Sequence, residues 1–97
     1  MNKTEADFAQ HLELRKVAGE LIYWDFEPIR FRLGDGAWYK PDFMVVDNQY
    51  LQTIFEVKGR WMEAARVRIK VAAERYWMYR FIAVKRDRKA GWVYEEL

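Results

Sequence analysis

Lys40-Pro41-Asp42-Phe43 and Phe55-Glu56-Val57-Lys58-Gly59 are the two stretches around which the predicted fold of this chain is organised. The second has an apolar strand pattern that ends at a glycine, and the first enters a strand through a proline. Side chains two residues apart on a strand lie on the same face, so Glu56 and Lys58 share a face. Burying either charge without a partner or a metal is costly. A hairpin joining the two stretches would bring Asp42 across from this pair.

This combination of an aspartate, a glutamate and a lysine has the chemistry needed for metal-dependent cleavage of a phosphodiester. Two carboxylates can hold a hard cation such as Mg²⁺. A nearby ammonium can steady the attacking water or the charge that builds on phosphorus. The same three residue types also occur by chance on surface hairpins, as exposed ion pairs that contribute little to stability. Spacing alone leaves both interpretations open.

Helical and extended patterns alternate along the rest of the chain. Thr4 as N-cap, acidic residues in the first turn and Gly19 at the end predict a helix over residues 4–18. Apolar residues at helical spacing predict a second helix over residues 62–77. Alternation of apolar residues with arginine predicts a strand at 28–33, and apolar-rich stretches bounded by turn residues predict further extended segments at 21–25, 37–46, 51–58, 79–85 and 92–94.

The order of these elements predicts the fold class. Three or four strands follow the first helix and one or two follow the second, which indicates an α+β fold with a mixed central sheet flanked by helices. The strand–helix–strand unit between residues 51 and 85 should contain two parallel strands with a right-handed crossover. The length predicts a single domain over residues 1–97. A core of this size is small, which favours a homodimer.

Composition excludes several kinds of site. The chain has no cysteine and one histidine, His11, so disulfides, thiolate zinc sites and multi-histidine metal sites are excluded. The absence of cysteine also permits a reducing cytoplasm. No segment approaches the roughly 20 apolar residues of a membrane-spanning helix. The polar residues 1–5 do not have the pattern of a signal peptide.

Charge is distributed unevenly, although the net charge is only +2. Residues 1–59 carry seven basic and ten acidic side chains, whereas residues 60–90 carry ten basic and three acidic ones. A basic segment that follows a carboxylate cluster suits a polyanion held against a bound metal. We predict phosphate contacts from Arg60, Arg66 and Lys70, the last two on one face of the second helix. The alternative is that these two pair with glutamates of the same helix.

The two stretches, together with the tyrosine that precedes them, resemble a known family. The pattern Tyr-Lys-Pro-Asp-Phe, then Phe-Glu-Val-Lys-Gly, at the ends of consecutive strands and before a basic helix, resembles the PD-(D/E)xK nuclease superfamily. More narrowly, it is similar to small phage- and prophage-encoded endonucleases related to the endonuclease I-type Holliday-junction resolvases. The resemblance covers most of the chain. It implies a restriction-endonuclease-like core in the order αβββαβ, with the active site at one edge of the sheet.

The resemblance also implies roles for the residues that match the motif. Asp42, Glu56 and the backbone carbonyl of Val57 would coordinate Mg²⁺, for which Mn²⁺ would substitute. Lys58 would orient the nucleophilic water and stabilise the transition state. These assignments are carried over from the family pattern to matching positions of this sequence.

Families of this type often add a glutamate from the first helix to the catalytic and metal-binding set. Glu5, in the first turn, matches that place best, and Glu13 and Glu20 are its rivals. The alternative role for Glu5 is to complement the positive end of the helix dipole.

The function implied by the resemblance is that of a Mg²⁺-dependent DNA endonuclease, in the cytoplasm of a bacterial host cell and encoded by a phage or prophage. Attack of water would leave a 5′-phosphate and a 3′-hydroxyl. The chain is too short for an added sequence-reading domain, so we expect a branched or distorted duplex such as a Holliday junction as substrate. Two cuts in a junction require a homodimer. The alternatives are a non-catalytic DNA-binding or phage accessory protein on the same fold, and a small protein-interaction domain.

Overall fold

The computed structural model describes residues 1–59 and 62–97, which form two helices and a mixed set of strands. In chain order the elements are α1 (Lys3–Val17), β1 (Leu21–Phe26), β2 (Phe31–Gly34), β3 (Ala37–Tyr39), β4 (Phe43–Asp47), β5 (Gln52–Val57), α2 (Glu63–Arg75), β6 (Arg80–Asp87) and β7 (Gly91–Glu96). Five strands separate the two helices, rather than the three of the predicted αβββαβ order. Neither of the described helices is long and apolar enough to cross a membrane.

Five of the strands form one mixed sheet in the order β1-β4-β5-β6-β7. Antiparallel pairing joins β1 to β4, β4 to β5 and β6 to β7, whereas β5 and β6 are parallel. The parallel pair is connected through α2, because a parallel connection needs a crossover long enough to return the chain to the same edge. The predicted α+β class with a mixed sheet is therefore confirmed, as is the parallel strand–helix–strand unit.

Alternation of side chains along the strands gives this sheet two apolar faces, each covered by one helix. On the α1 face, the buried ring of Phe8 packs edge-on against Phe43 and Phe55. On the α2 face, Ile54 of β5 and Ile69 of α2 belong to a second buried cluster. Because side chains two apart share a face, the residue two positions after Ile54 lies on the α2 side of the sheet.

The first helix begins earlier than predicted, because Asn2 rather than Thr4 is its N-cap. The Asn2 side chain accepts a hydrogen bond from the Glu5 N–H at 2.8 Å, and Glu5 Oε1 accepts one from the Asn2 N–H at 2.9 Å. This reciprocal capping box satisfies two N–H groups that the helix leaves unpaired. At the other end Ala18 is the C-cap and Gly19 follows with φ +83°, the left-handed conformation that glycine adopts without a Cβ penalty.

The segment predicted as one strand over residues 37–46 is two strands, separated at Lys40-Pro41-Asp42. Proline has no N–H to donate to a ladder, so continuous pairing cannot pass through residue 41. The chain leaves β3 at this point and joins the main sheet at Phe43, the first residue of β4. The break therefore places the aspartate immediately before the first paired residue of β4.

The strands β2 and β3 form a separate two-stranded hairpin, which lies over the α2 side of the molecule. Its register pairs Phe31 with Tyr39, and both side chains are buried in the cluster on the α2 face. The Tyr76 hydroxyl donates a hydrogen bond to the Arg32 carbonyl at 2.6 Å and so joins α2 to the hairpin. Residues 28–30, predicted as the start of a strand, precede β2.

Candidate active site

The adjoining ends of β4 and β5 bring Asp42 and Glu56 together. The register pairs Phe43 with Phe55, so one position further along Asp42 lies across from Glu56, as the hairpin prediction expected. Both side chains are buried, with exposed fractions of 7% and 6%. Two buried carboxylates on neighbouring strands need hydrogen-bond donors or positive charge nearby.

One oxygen of Asp42 is fixed by the backbone of β5. Asp42 Oδ2 accepts a hydrogen bond from the Val57 N–H at 2.8 Å. Val57 lies beyond the last paired residues of β4 and β5, so this side chain supplies an acceptor that the β4 backbone does not. The main-chain carbonyl of Asp42 accepts a further hydrogen bond from the Glu27 N–H at 2.7 Å. No residue in 1–59 or 62–97 donates to Asp42 Oδ1. Asp42 is therefore held in place while one carboxylate oxygen keeps its acceptor capacity.

Both oxygens of Glu56 have a partner from within the chain. Glu56 Oε1 accepts a hydrogen bond from the Tyr39 hydroxyl at 2.8 Å. Glu56 Oε2 lies 2.9 Å from Lys58 Nζ, and the Lys58 side chain is about one-third exposed. The predicted sharing of one strand face by Glu56 and Lys58 thus places their charges in direct contact.

Tyr39 is the site residue that the sequence analysis did not identify. It occurs in the quoted family pattern, three residues before Asp42, but no role was predicted for it. The informative feature was Pro41, which ends β3 and separates the strand of Tyr39 from the strand of Asp42. Because residues 37–46 were predicted as one strand, the contact of Tyr39 with Glu56 from a separate hairpin was not predicted.

The environment of Asp42 disfavours its charged form. Burial raises the pKa of Asp42 to about 7, and the charge of Glu56 acts in the same direction. The hydrogen bond from the Val57 N–H lowers this pKa, the charge of Glu5 raises it, and the charge of Lys58 lowers it by a smaller effect. The pair of carboxylates is therefore short of positive charge at neutral pH, even with Lys58 beside it.

Lys58 and Tyr39 both keep their protons in this site. Burial by itself would lower the pKa of Lys58, but the hydrogen bond and charge of Glu56 raise it overall. Burial, followed by the charge of Glu56, raises the pKa of the Tyr39 phenol. Lys58 is therefore an ammonium group and a hydrogen-bond donor at neutral pH, and it is unsuited to accept a proton from water.

The three glutamates considered for the first helix occupy different places. Glu5 is engaged in the capping box, and its charge acts on both Asp42 and Lys58. Glu13 accepts a hydrogen bond from Trp24 Nε1 at 2.8 Å, and Glu20 pairs with Arg15. Of the three, only Glu5 acts on the pKa of Asp42, so it remains the predicted third carboxylate.

The predicted phosphate-binding residues differ in their surroundings. Arg60 lies outside the described residues. Arg66 pairs with Glu95 of β7 at 2.8 Å, rather than with the glutamates of its own helix. Lys70 is exposed one turn further along α2. Arg68, which the sequence analysis did not single out, lowers the pKa of Tyr39 through its charge, so it is an α2 cation that acts on the site.

The donor set matches an ion that is held by few protein ligands. Within the described ranges 1–59 and 62–97, no group of three or more His, Cys, Asp or Glu side chains is arranged to hold a metal ion. Mg²⁺ usually keeps several waters and is bound through one or two carboxylates. The buried pair of Asp42 and Glu56, with its unneutralised charge, fits such an ion. The Val57 N–H contacts Asp42, and its carbonyl remains a predicted ligand.

Tyr39→Phe should destabilise the fold, because it leaves Glu56 Oε1 buried without its donor. A hydrogen bond to a charged group contributes about 1.5–3 kcal/mol, so we expect the free energy of unfolding in urea to fall by roughly that amount. Tyr50→Phe is the matched control, since Tyr50 is 76% exposed and its hydroxyl has no hydrogen bond within the described chain. Equal stability of the two variants would contradict the positioning of Glu56 by Tyr39.

Comparisons with known proteins give no information on the function of this chain. No family model, no curated protein and no solved structure matches the chain.

Proposed function

We propose that this chain is a Mg²⁺-dependent DNA endonuclease that hydrolyses phosphodiester bonds. The observation that carries the proposal is the meeting of Asp42, Glu56 and Lys58 at the ends of β4 and β5. There, burial and the charge of Glu56 raise the pKa of Asp42 to about 7. A site that holds two carboxylates against this cost, beside an ammonium group, supports the binding of a divalent cation.

Asp42 and Glu56 would hold the cation, with the Val57 carbonyl as a further ligand and Glu5 as the candidate from α1. When bound, Mg²⁺ would act as a Lewis acid toward the scissile phosphate and its attacking water. The hydrogen bond from the Val57 N–H orients Asp42, and Tyr39 orients Glu56. These contacts hold both carboxylates before substrate arrives, which lowers the reorganisation needed during reaction.

Lys58 would act directly on the reacting groups. Its ammonium is fixed by Glu56 Oε2 at 2.9 Å and still reaches solvent. In the proposed step, the water oxygen forms a bond to phosphorus and the bond from phosphorus to the 3′-oxygen breaks. Solvent takes the proton lost by the water and protonates the 3′-oxygen. Lys58 would donate a hydrogen bond to a non-bridging oxygen, where negative charge increases in the transition state.

The finer parts of the proposal concern substrate and assembly. The PD-(D/E)xK core, the relation to phage- and prophage-encoded junction resolvases and the cytoplasmic location are supported by the sequence pattern. A branched or distorted duplex is the proposed substrate, and cleavage of both strands of a junction would need a homodimer. Arg66, whose guanidinium pairs with the half-exposed Glu95, is a proposed phosphate contact on α2. Lys70 is the neighbouring contact on α2.

Calorimetric titration with Mn²⁺ and a cleavage assay on junction and linear DNA test the proposal together. The unaltered chain should bind Mn²⁺ and cleave DNA only when a divalent ion is present. Asp42→Asn keeps the size of the side chain and the acceptor for the Val57 N–H but removes the charge. We expect this variant to lose the binding heat and the cleavage.

Asp35→Asn is the matched control, because the Asp35 side chain is fully exposed in the turn between β2 and β3. It should bind Mn²⁺ like the unaltered chain, and it is used as a control for metal binding alone because Asp35 pairs with Arg32. Metal binding without cleavage of any DNA would favour the non-catalytic alternative. Absence of metal binding by the unaltered chain would contradict the proposed site.

A further inference from the structure

The hairpin of β2 and β3 has one face built into the core and one face open to solvent. Phe31 and Tyr39 are directed inward. Since neighbouring residues on a strand point to opposite sides, the paired residues Arg32 and Trp38 point outward. Arg30 and Lys40 flank the two strands and are exposed. We call this the outer face of the hairpin, and it comprises Arg30, Arg32, Trp38 and Lys40.

An aromatic ring and a guanidinium group are stacked on this outer face. The Arg30 guanidinium carbon lies 4.4 Å from the centroid of the Trp38 ring, a cation–π arrangement. Trp38 is 46% exposed, and no aromatic ring of the described residues packs against it. No described acidic side chain forms an ion pair with Arg30. The stack therefore offers a flat aromatic surface supported by a cation.

The remaining two cations of the outer face are only loosely engaged. Arg32 pairs with Asp35 at 3.3 Å, and Lys40 pairs with Glu27 at 3.5 Å. The side chains of Arg32 and Lys40 are each about half exposed. Exposed pairs of this kind contribute little, so phosphate groups can replace the carboxylates at small cost.

The outer face is close to the carboxylate pair along the chain. Trp38 is four residues from Asp42, so their Cα atoms are at most about 14 Å apart. Tyr39, next to Trp38, donates to Glu56 Oε1. A nucleic acid strand that runs along the hairpin from Trp38 past Lys40 would therefore approach the site.

We propose that the outer face of the hairpin binds unpaired nucleotides of the DNA substrate, with a base stacked on Trp38 and phosphates on Arg30, Arg32 and Lys40. This inference rests on the proposed function, and it assigns the substrate class: DNA in which single-stranded nucleotides adjoin a duplex. Aromatic side chains interleaved with cations are the recurring means of binding single strands, because every base has a face that can stack. A protein partner is disfavoured, since the face is polar and basic around its single ring.

Fluorescence anisotropy with a labelled short duplex, with and without a single-stranded extension, tests this assignment. EDTA prevents cleavage, so binding is measured separately from catalysis. Trp38→Ala should weaken binding of the extended duplex by about tenfold, within the roughly 5- to 150-fold range for loss of one stacked base, and leave the plain duplex nearly unchanged. Trp38→Phe should retain part of the preference. Arg30→Ala should also weaken binding of the extended duplex and reduce its salt dependence, and should leave the plain duplex nearly unchanged.

Trp77→Ala is the matched control, because Trp77 is 78% exposed and follows the end of α2, outside the hairpin strands β2 and β3. It should bind both DNAs like the unaltered chain. Equal loss for both DNAs in Trp38→Ala, or an equal effect of Trp77→Ala, would overturn the assignment while leaving the cleavage test of Asp42 intact. A Trp38 effect in a chain that never cleaves would support the surface and contradict the endonuclease function. Failure to bind either DNA would overturn both.

Discussion

Lys58→Met is expected to lower Mg²⁺-dependent cleavage by about 10²- to 10³-fold, the usual effect of removing one positioned donor from a transition state. Methionine retains the unbranched apolar stem of lysine and removes the charge. Glu56 loses its partner at 2.9 Å but keeps the hydrogen bond from the Tyr39 hydroxyl. The fold should therefore persist, and the loss should occur in kcat more than in KM if Lys58 acts on developing charge.

The control for this variant is Lys85→Met on β6, which also removes one lysine charge from an exposed position. Single-turnover cleavage by both variants, at matched salt, separates a local effect from a change in net charge. Because the Glu56 hydrogen bond raises the pKa of Lys58 above its ordinary value, loss of its proton should not limit the rate near neutral pH. Undiminished cleavage by Lys58→Met would remove Lys58 from the reaction.

The parallel pair of strands in the sheet could be predicted because the unit that contains it carries clear local patterns. The segment leading to Val57 is followed by a helical pattern and then by an apolar strand, and a connection of that length allows the two strands to be parallel. The pairing of Thr53 with Arg80 and of Val57 with Val84 confirms it. Local alternation and the length of the connection were enough to determine this unit.

The division of residues 37–46 could not be predicted from alternation alone. Apolar residues lie on both sides of Pro41, at 37–39 and 43–46, so the pattern favoured one strand. Whether a proline enters a strand or ends one depends on which neighbour its missing N–H would face. That neighbour is set by tertiary packing, here by the burial of Tyr39 against the α2 face.

Contacts set by local spacing in the candidate site were predicted, whereas contacts set by tertiary packing were not. Two-residue spacing on a strand brings Glu56 and Lys58 together, and a hairpin brings Asp42 to them. The ion pair of Arg66 with Glu95 joins residues 29 positions apart, on α2 and β7. No local sequence pattern links these two elements. Side chains of opposite charge are abundant in this chain, so sequence alone cannot choose the partner of Arg66.

The charge balance of the site links its stability to its proposed chemistry. Asp42 and Glu56 have Lys58 as their nearby cation, and Glu5 adds a further negative charge at longer range. The folded protein must therefore either keep a proton on Asp42 or receive positive charge from outside. A site with this balance should respond to pH and to divalent ions in a way that a structural ion pair would not.

Asp42→Asn is expected to stabilise the metal-free protein by about 2–4 kcal/mol near pH 8 and to have little effect near pH 4. Asp42 has a pKa of about 7 in the folded state, raised from the ordinary value of 3.8. Between these values the folded state binds more protons than the unfolded state, so stability falls as pH rises through the window. Asparagine avoids this loss because it carries no charge and still accepts the Val57 hydrogen bond.

Urea unfolding of Asp42→Asn and the unaltered chain, at a series of pH values in EDTA, gives this difference directly, with Asp35→Asn as the exposed control. Mg²⁺ should then stabilise the unaltered chain at the upper pH values, by about 3 kcal/mol when its concentration is about 100 times Kd, and should not stabilise Asp42→Asn. A structural ion pair predicts the opposite dependence, since losing a stabilising carboxylate would destabilise the protein above its pKa. A destabilised Asp42→Asn near pH 8 would therefore contradict the raised pKa and weaken the case for a cation at this site.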